Sequence, residues 1–385
     1  MYCLYSSTKV GASPSPASTA ASGGGMEAAD DADYVFELQG NCDGTLVAAS
    51  LSSRGVAVHD AETLQHVHTL RGMHSDRING MEFMRANPSV LVTSSDDETV
   101  RVWDTRCVPQ PSSSNGGSSS GNAQAALSIK TSGEVMDVSV GPNDAMLACA
   151  VGNGVSFFDV RGGGAAGGGH GSASLGEYAD VNTDTVTQLR FHPTRPAELV
   201  TAGDDGLVCM FNTAVGSGEE AVCSVFNTDC PVQRFGFFGH NLEGVYCVSS
   251  VETLSAWHAP SAQRIGTFPD ARDALGVDYL VDCMYSAASD SLTLLGGTHS
   301  GEGVTALVAP SGLQVTGKLD GGHGATIRSV LCTRQDAEGA AALITGGEDS
   351  ALSGWKRGQT AVTRPGYKKE ERRKSKKESR RFSPY

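Results

Sequence analysis

The chain has 385 residues, 39% of them hydrophobic, with 48 glycines and only 6% aromatic residues; that is apolar content enough for a core and excludes wholesale disorder. The formal net charge of −14 is uneven: from Arg364 to Tyr385 ten Lys/Arg stand against three Glu, a +7 tail on a body of −21, which implies two kinds of partner. No run of ~18 apolar residues offers a membrane span, the opening MYCLYSSTKVGAS lacks an apolar signal core, and ten cysteines without a CxxC pair argue against a zinc cluster or a disulfide framework and for a reduced intracellular chain.

In chain order, YCLYSSTK from Tyr2 to Lys9 reads as a strand without a partner of its own, and residues 11–32, rich in Ala, Ser, Gly and Pro, as a flexible link. From residue 33 short strands with period-two apolar patterning alternate with Gly, Asp, Asn and Ser turns, and helical periodicity is nearly absent. A first unit ends in GVAVHD at Asp60. A second holds His74 and then LVTSSDDETVRVWD from Leu91 to Asp104, before a low-complexity insertion at 107–126. The third ends in GVSFFD at Asp159, before a Gly-rich insertion at 162–174. The fourth holds Asn182 and LVTAGDDGLVCMFN from Leu199 to Asn212. The fifth and sixth end at His258 (TLSAWH) and Ala309 (VTALVA). The seventh holds His323 and LITGGEDSALSGWK from Leu343 to Lys356, and residues 359–385 form a basic tail predicted to be disordered.

Two spacings recur in the three strongest units. The first apolar strand residue (Ile78, Val186, Ile327) follows His74, Asn182 or His323 by four, and an aspartate precedes the strand-end aromatic by six: Asp97 and Trp103, Asp205 and Phe211, Asp349 and Trp355. This pattern resembles the WD-repeat family, whose unit of about 40–45 residues folds as one four-stranded blade. Seven units imply an all-β, seven-bladed propeller over residues 33–358, with residues 1–10 supplying the strand that closes the last blade. Further segments, including DTVTQLRFHPTRPAELVTAGDDGLV from Asp184 and LDGGHGATIRSV from Leu319, resemble the WD repeat-containing protein 89 branch of that family over roughly residues 33–381.

The resemblance implies structural roles for the recurring polar residues: a hydrogen-bonded chain through the blade from His74, a hydroxyl among Thr93–Ser95, Asp97 and Trp103, and a second from His323, Thr345, Asp349 and Trp355. The Asp205 unit has Phe211 where the Trp donor belongs, and the other four blades are expected to rely on apolar packing alone. For function the family implies protein contacts, probed here by two constellations. Trp103-Asp104-Thr105-Arg106 and its echo Phe158-Asp159-Val160-Arg161 resemble the WDxR ending by which some propellers dock onto the adaptor of cullin-4 ubiquitin ligases, with Arg106 and Arg161 on the bottom face and Asp104 and Asp159 orienting them. On the top face, Asp97 and Asp349 are spoken for within their blades, which leaves Asp96, Asp204 and Glu348 free to attract a basic peptide; turn chemistry alone also favours acids there.

GxSxG, P-loop and HExxH patterns are absent, and His66 and His68 share a strand face without a third ligand nearby in sequence. No enzyme, cofactor or metal is therefore expected. The expectation is a non-enzymatic scaffold in the nucleus, with the tail from Lys368 to Arg381 as an import signal; RNA contact would run through that tail alone, where Glu370, Glu371 and Glu378 interrupt the basic run.

Overall fold

Alternating apolar residues give each short segment one apolar face, and an antiparallel sheet of such strands is stable only when that face is packed against a neighbour. In the computed structural model, described over residues 2–10, 33–107, 124–161, 174–216, 218–333 and 342–357, the segments form seven four-stranded antiparallel sheets. Their innermost strands are Val35–Gly40, Ile78–Phe83, Val135–Val140, Val186–Phe191, Val232–Phe238, Tyr279–Ser286 and Ile327–Cys332, for blades 1 to 7. Each inner strand packs on the next, and that of blade 7 packs back on blade 1. The apolar core is accordingly divided into wedges between blades. Trp103 of blade 2, for instance, packs with Ala48 and Val58 of blade 1, and Trp355 of blade 7 with Val281 and Leu295 of blade 6.

The ring closes as the sequence implies. Tyr2–Lys9 lies antiparallel to Ala351–Arg357, with Tyr2 opposite Arg357 and Lys9 opposite Ala351, so the chain's first strand is the outer strand of its last blade. The linker 11–32, most of both predicted insertions (108–123 and 162–173) and the tail from 358 lie outside the described residues.

Two local devices repeat in every blade. Each turn between second and third strands holds one left-handed residue: Arg54, Glu98, Gly152, Gly206, Glu252, Gly301 and Ser350. Each inner strand skips one residue in its pairing with the second strand, at Phe36, Asn79, Met136, Thr187, Gln233, Val281 and Arg328. Such a bulge re-aims the side chains that follow it. The next residues in the seven strands are Glu37, Gly80, Asp137, Gln188, Arg234, Asp282 and Ser329, and all but Gly80 line the central channel.

Candidate interaction surfaces and the central channel

The polar chain through blade 2 is complete. Trp103 Nε1–H donates to Thr93 Oγ1 at 2.9 Å, Thr93 lies 2.7 Å from His74 Nε2, and His74 Nδ1 lies 3.0 Å from Asp97. Since the carboxylate only accepts, Nδ1 carries the hydrogen and Nε2 accepts from the threonine hydroxyl. Thr93 supplies the hydroxyl left open among Thr93–Ser95. Blade 7 repeats the arrangement through Trp355, Thr345, His323 and Asp349 at 2.8, 2.7 and 3.1 Å. Burial holds the His74 imidazole below its ordinary pKa. Burial opposes the charge of Asp349, yet His323 and the N–H groups of Gly324 and Ala351 hold its carboxyl well below the usual range. In blade 4 the chain shortens to Thr201, Asn182 and Asp205, with Phe211 buried at the tryptophan position.

The expectation of purely apolar packing in the remaining blades needs correction. In blade 5 Trp257 Nε1–H donates to Ser255 two residues away in its own strand, and in blade 1 the fully buried His59 bonds the Leu64 carbonyl. In blade 6 Thr305 meets Thr316. These polar contacts are local instead of spanning three strands, and in blade 1 the local bond leaves His59 Nε2 buried without a partner.

The top face carries the turns between second and third strands. Of its three acidic candidates only Asp204 is free: it is exposed, and burial of part of its surface together with Asp184 and Asp205 raises its carboxyl. Asp96 is not free, because Asn79 donates to it, and Glu348 is not free either, because it pairs with Arg328. Both partners sit at the bulged position of the inner strand beside them, a position that pairing by simple alternation does not reveal.

On the bottom face Arg106 and Arg161 occupy matching places on neighbouring blades. Each turns back on the aspartate two residues before it. Arg106 Nε and Nη2 reach Asp104 at 2.9 and 2.7 Å, and Arg161 reaches Asp159 at 3.1 and 3.0 Å. The side chains remain 68% and 71% exposed, so both guanidiniums are presented to solvent in one preset orientation.

Sequence reasoning missed the channel. Its polar side chains bridge blades: the Asp137 carboxylate accepts from Leu189 N–H of blade 4, the Glu82 carboxylate from Val140 N–H of blade 3, and the Gln188 amide oxygen from Phe235 N–H of blade 5, at 3.0, 2.9 and 3.1 Å. Gly80 has no side chain because a Cβ there would collide with Asp137. Burial, with Asp137 nearby, pushes the Glu37 carboxyl up to about 7, and burial pushes Asp137 to about 6. The available signal was a polar or charged residue at one recurring place in six of the seven inner strands, visible only after the weak repeats are aligned at their bulges.

A ring of seven such blades, two with the full Trp–Thr–His–Asp chain, defines the class: a WD-repeat propeller. Residues 64–104, which end with the third strand of blade 2, match the WD domain, G-beta repeat family. The chain is 31% identical over 350 residues to WD repeat-containing protein GTS1 of Arabidopsis thaliana (86% of this chain, 83% of the relative) and 28% identical over 333 residues to the WD repeat-containing protein 89 homolog of Dictyostelium discoideum (85% and 83%). It belongs to the WD-repeat family. A shorter likeness, 31% over 72 residues (19% of this chain, 14% of the relative), is to DDB1- and CUL4-associated factor 10 of Danio rerio.

Proposed function

We propose that this protein is a non-enzymatic scaffold that assembles protein partners in the nucleus, with its acidic top rim around Asp204 as one landing surface for a basic segment. WD-repeat propellers bind other proteins, and the observation that carries the reading is how the polar residues are used. The recurring His, Thr, Asp and Trp are consumed inside blades 2 and 7, which leaves the faces to make contacts. The Asp204 carboxylate has no hydrogen-bond partner among the described residues, and its like-charged neighbours make a cation there favourable. Affinity purification of the full chain, followed by Asp184→Asn plus Asp204→Asn, tests it: a bound basic partner should be weakened several-fold and its salt dependence flattened. An unchanged salt slope removes the rim from the reading. Deleting residues 364–385 should abolish nuclear accumulation with partners retained; loss of RNA crosslinking instead would favour a role at RNA.

A second reading has its own support. The matched, latched orientation of Arg106 and Arg161 suits docking onto an adaptor's carbonyls and carboxylates, and the short likeness to a cullin-4-associated factor points the same way. On this reading the protein is a substrate receptor of a cullin-4-type ligase. Arg106→Ala plus Arg161→Ala should weaken co-precipitation of the adaptor at least about tenfold while the propeller stays folded. Adaptor binding that survives in the folded double variant, or is absent from the wild type, rejects it.

A further inference from the structure

Hydrogen-bond partners are unevenly shared along the channel walls. Three of the four carboxylates are occupied: Asp137 accepts from Leu189 and Val138 N–H groups, Glu82 from Val140 N–H, and Asp282 from the Tyr246 hydroxyl at 3.0 Å and Cys283 N–H at 2.7 Å. The guanidiniums of Arg190 and Arg234 are not, unlike that of Arg85, which donates to the Phe191 and Pro193 carbonyls. Among the described residues the Arg190 guanidinium makes no hydrogen bond, and its Nε is shut off from solvent without a partner. Arg234 uses one N–H, on the Gln233 carbonyl. Ser329, 7% exposed, leaves its Oγ unpartnered as well. Arg190, Arg234 and Ser329 line the same cavity of about 400 Å³.

Unmet demand in this cavity is therefore for a hydrogen-bond acceptor, since Asp137, Glu82 and Asp282 already accept from N–H and O–H groups and burial drives the Glu37 carboxyl toward its neutral, protonated form. We propose that the central channel binds a small oxyanion, a phosphate or carboxylate group gripped by Arg190 and Arg234 with Ser329 as a neutral donor. The site is independent of the top rim and of the bottom arginines. Around Arg190 stand Glu37, Glu82, Asp137, Asp282 and Tyr246, and Arg85 lines the bottom of the cavity. Because Glu37 and Asp137 hold protons to about 7 and about 6, they repel an anion less as the pH falls, and binding tightens from pH 8 to pH 6.

The test uses the full-length protein in thermal-shift and calorimetric titrations with inorganic phosphate, pyrophosphate and acetate, against KCl at equal ionic strength. Saturating ligand should raise Tm by about 3–5 °C over the KCl control, more at pH 6 than at pH 8. Arg190→Gln should remove the rise. Arg234→Gln, at a half-buried position, should weaken binding at least tenfold and serves if the first variant fails to fold. A response to phosphate but not acetate makes the ligand a phosphate compound, and the reverse makes it a carboxylate; either supports the site. No rise beyond KCl with any of the three anions, which would leave the donors to water, overturns it. So does an equal rise in a folded arginine variant.

Discussion

Single hydroxyls decide the local stability of two blades. Thr93 and Thr345 each stand between an indole N–H and an imidazole nitrogen, so replacing either by valine keeps the shape and leaves two buried polar atoms without partners. Thr345→Val should cost about 2–6 kcal/mol, from roughly 1–3 per orphaned group, read as a lower urea midpoint at unchanged m value. A shift no larger than that of a surface substitution would mean the chain is ornamental. Ser350 is a case of opposite sign. It sits in the left-handed region at φ 62°, is 4% exposed, and leaves its hydroxyl unpartnered. Ser350→Gly removes the strain and the orphan together and should stabilise by about 1 kcal/mol; loss of stability would show that the hydroxyl finds a partner in solution.

The element on which closure depends is the first strand. Its ladder to Ala351–Arg357 joins chain ends more than 340 residues apart, a non-local contact whose loop entropy must be offset by packing. Tyr5 lies flat on Gly354, where any Cβ would collide with the ring, and Lys356 sits over the same ring at 5.0 Å. Gly354→Val should therefore eject Tyr5, release the N-terminal strand to proteolysis and lower Tm, whereas Gly216→Ala, exposed with nothing near enough to meet a Cβ, should leave the N-terminus protected. Equal protease resistance in both variants would contradict this closure. The strand, the seven blades and the polar chains of blades 2 and 7 were legible in the sequence, because the His-to-strand and Asp-to-Trp spacings are set by turn geometry that every strong repeat shares. The channel was not. Glu37 and Asp282 look like solvent-facing residues of amphipathic strands until the skipped residue before each is seen, and Asp96 and Glu348 look free because Asn79 and Arg328, 17 and 20 residues away, claim them only through the same bulge.

For the whole ring, two sets of buried charges give pH dependences of opposite sign. Asp349 has its pKa depressed on folding, so its contribution is present above the unfolded value near 3.8 and is lost as the pH falls. Glu37 is raised from 4.5 to about 7, so the folded state holds more protons than the unfolded chain between those values, and its contribution is lost as the pH rises through 7. The comparison of Glu37→Gln with wild type isolates the channel term. Glutamine keeps the size and hydrogen-bonding shape of the protonated carboxyl, so the variant should be more stable by about 1–2 kcal/mol at pH 8, a figure discounted for the half-buried setting. That gain should shrink steadily as the pH falls through 7 and vanish below 4.5, where the wild-type side chain carries its own proton in both states. Asp349→Asn should show the mirror image, a loss that is full at neutral pH and fades only in acid. Denaturation midpoints of the three proteins across pH 4 to 8 read both trends at once, and a Glu37→Gln difference that stays flat with pH would mean that solvent in the channel screens this carboxylate from the ring.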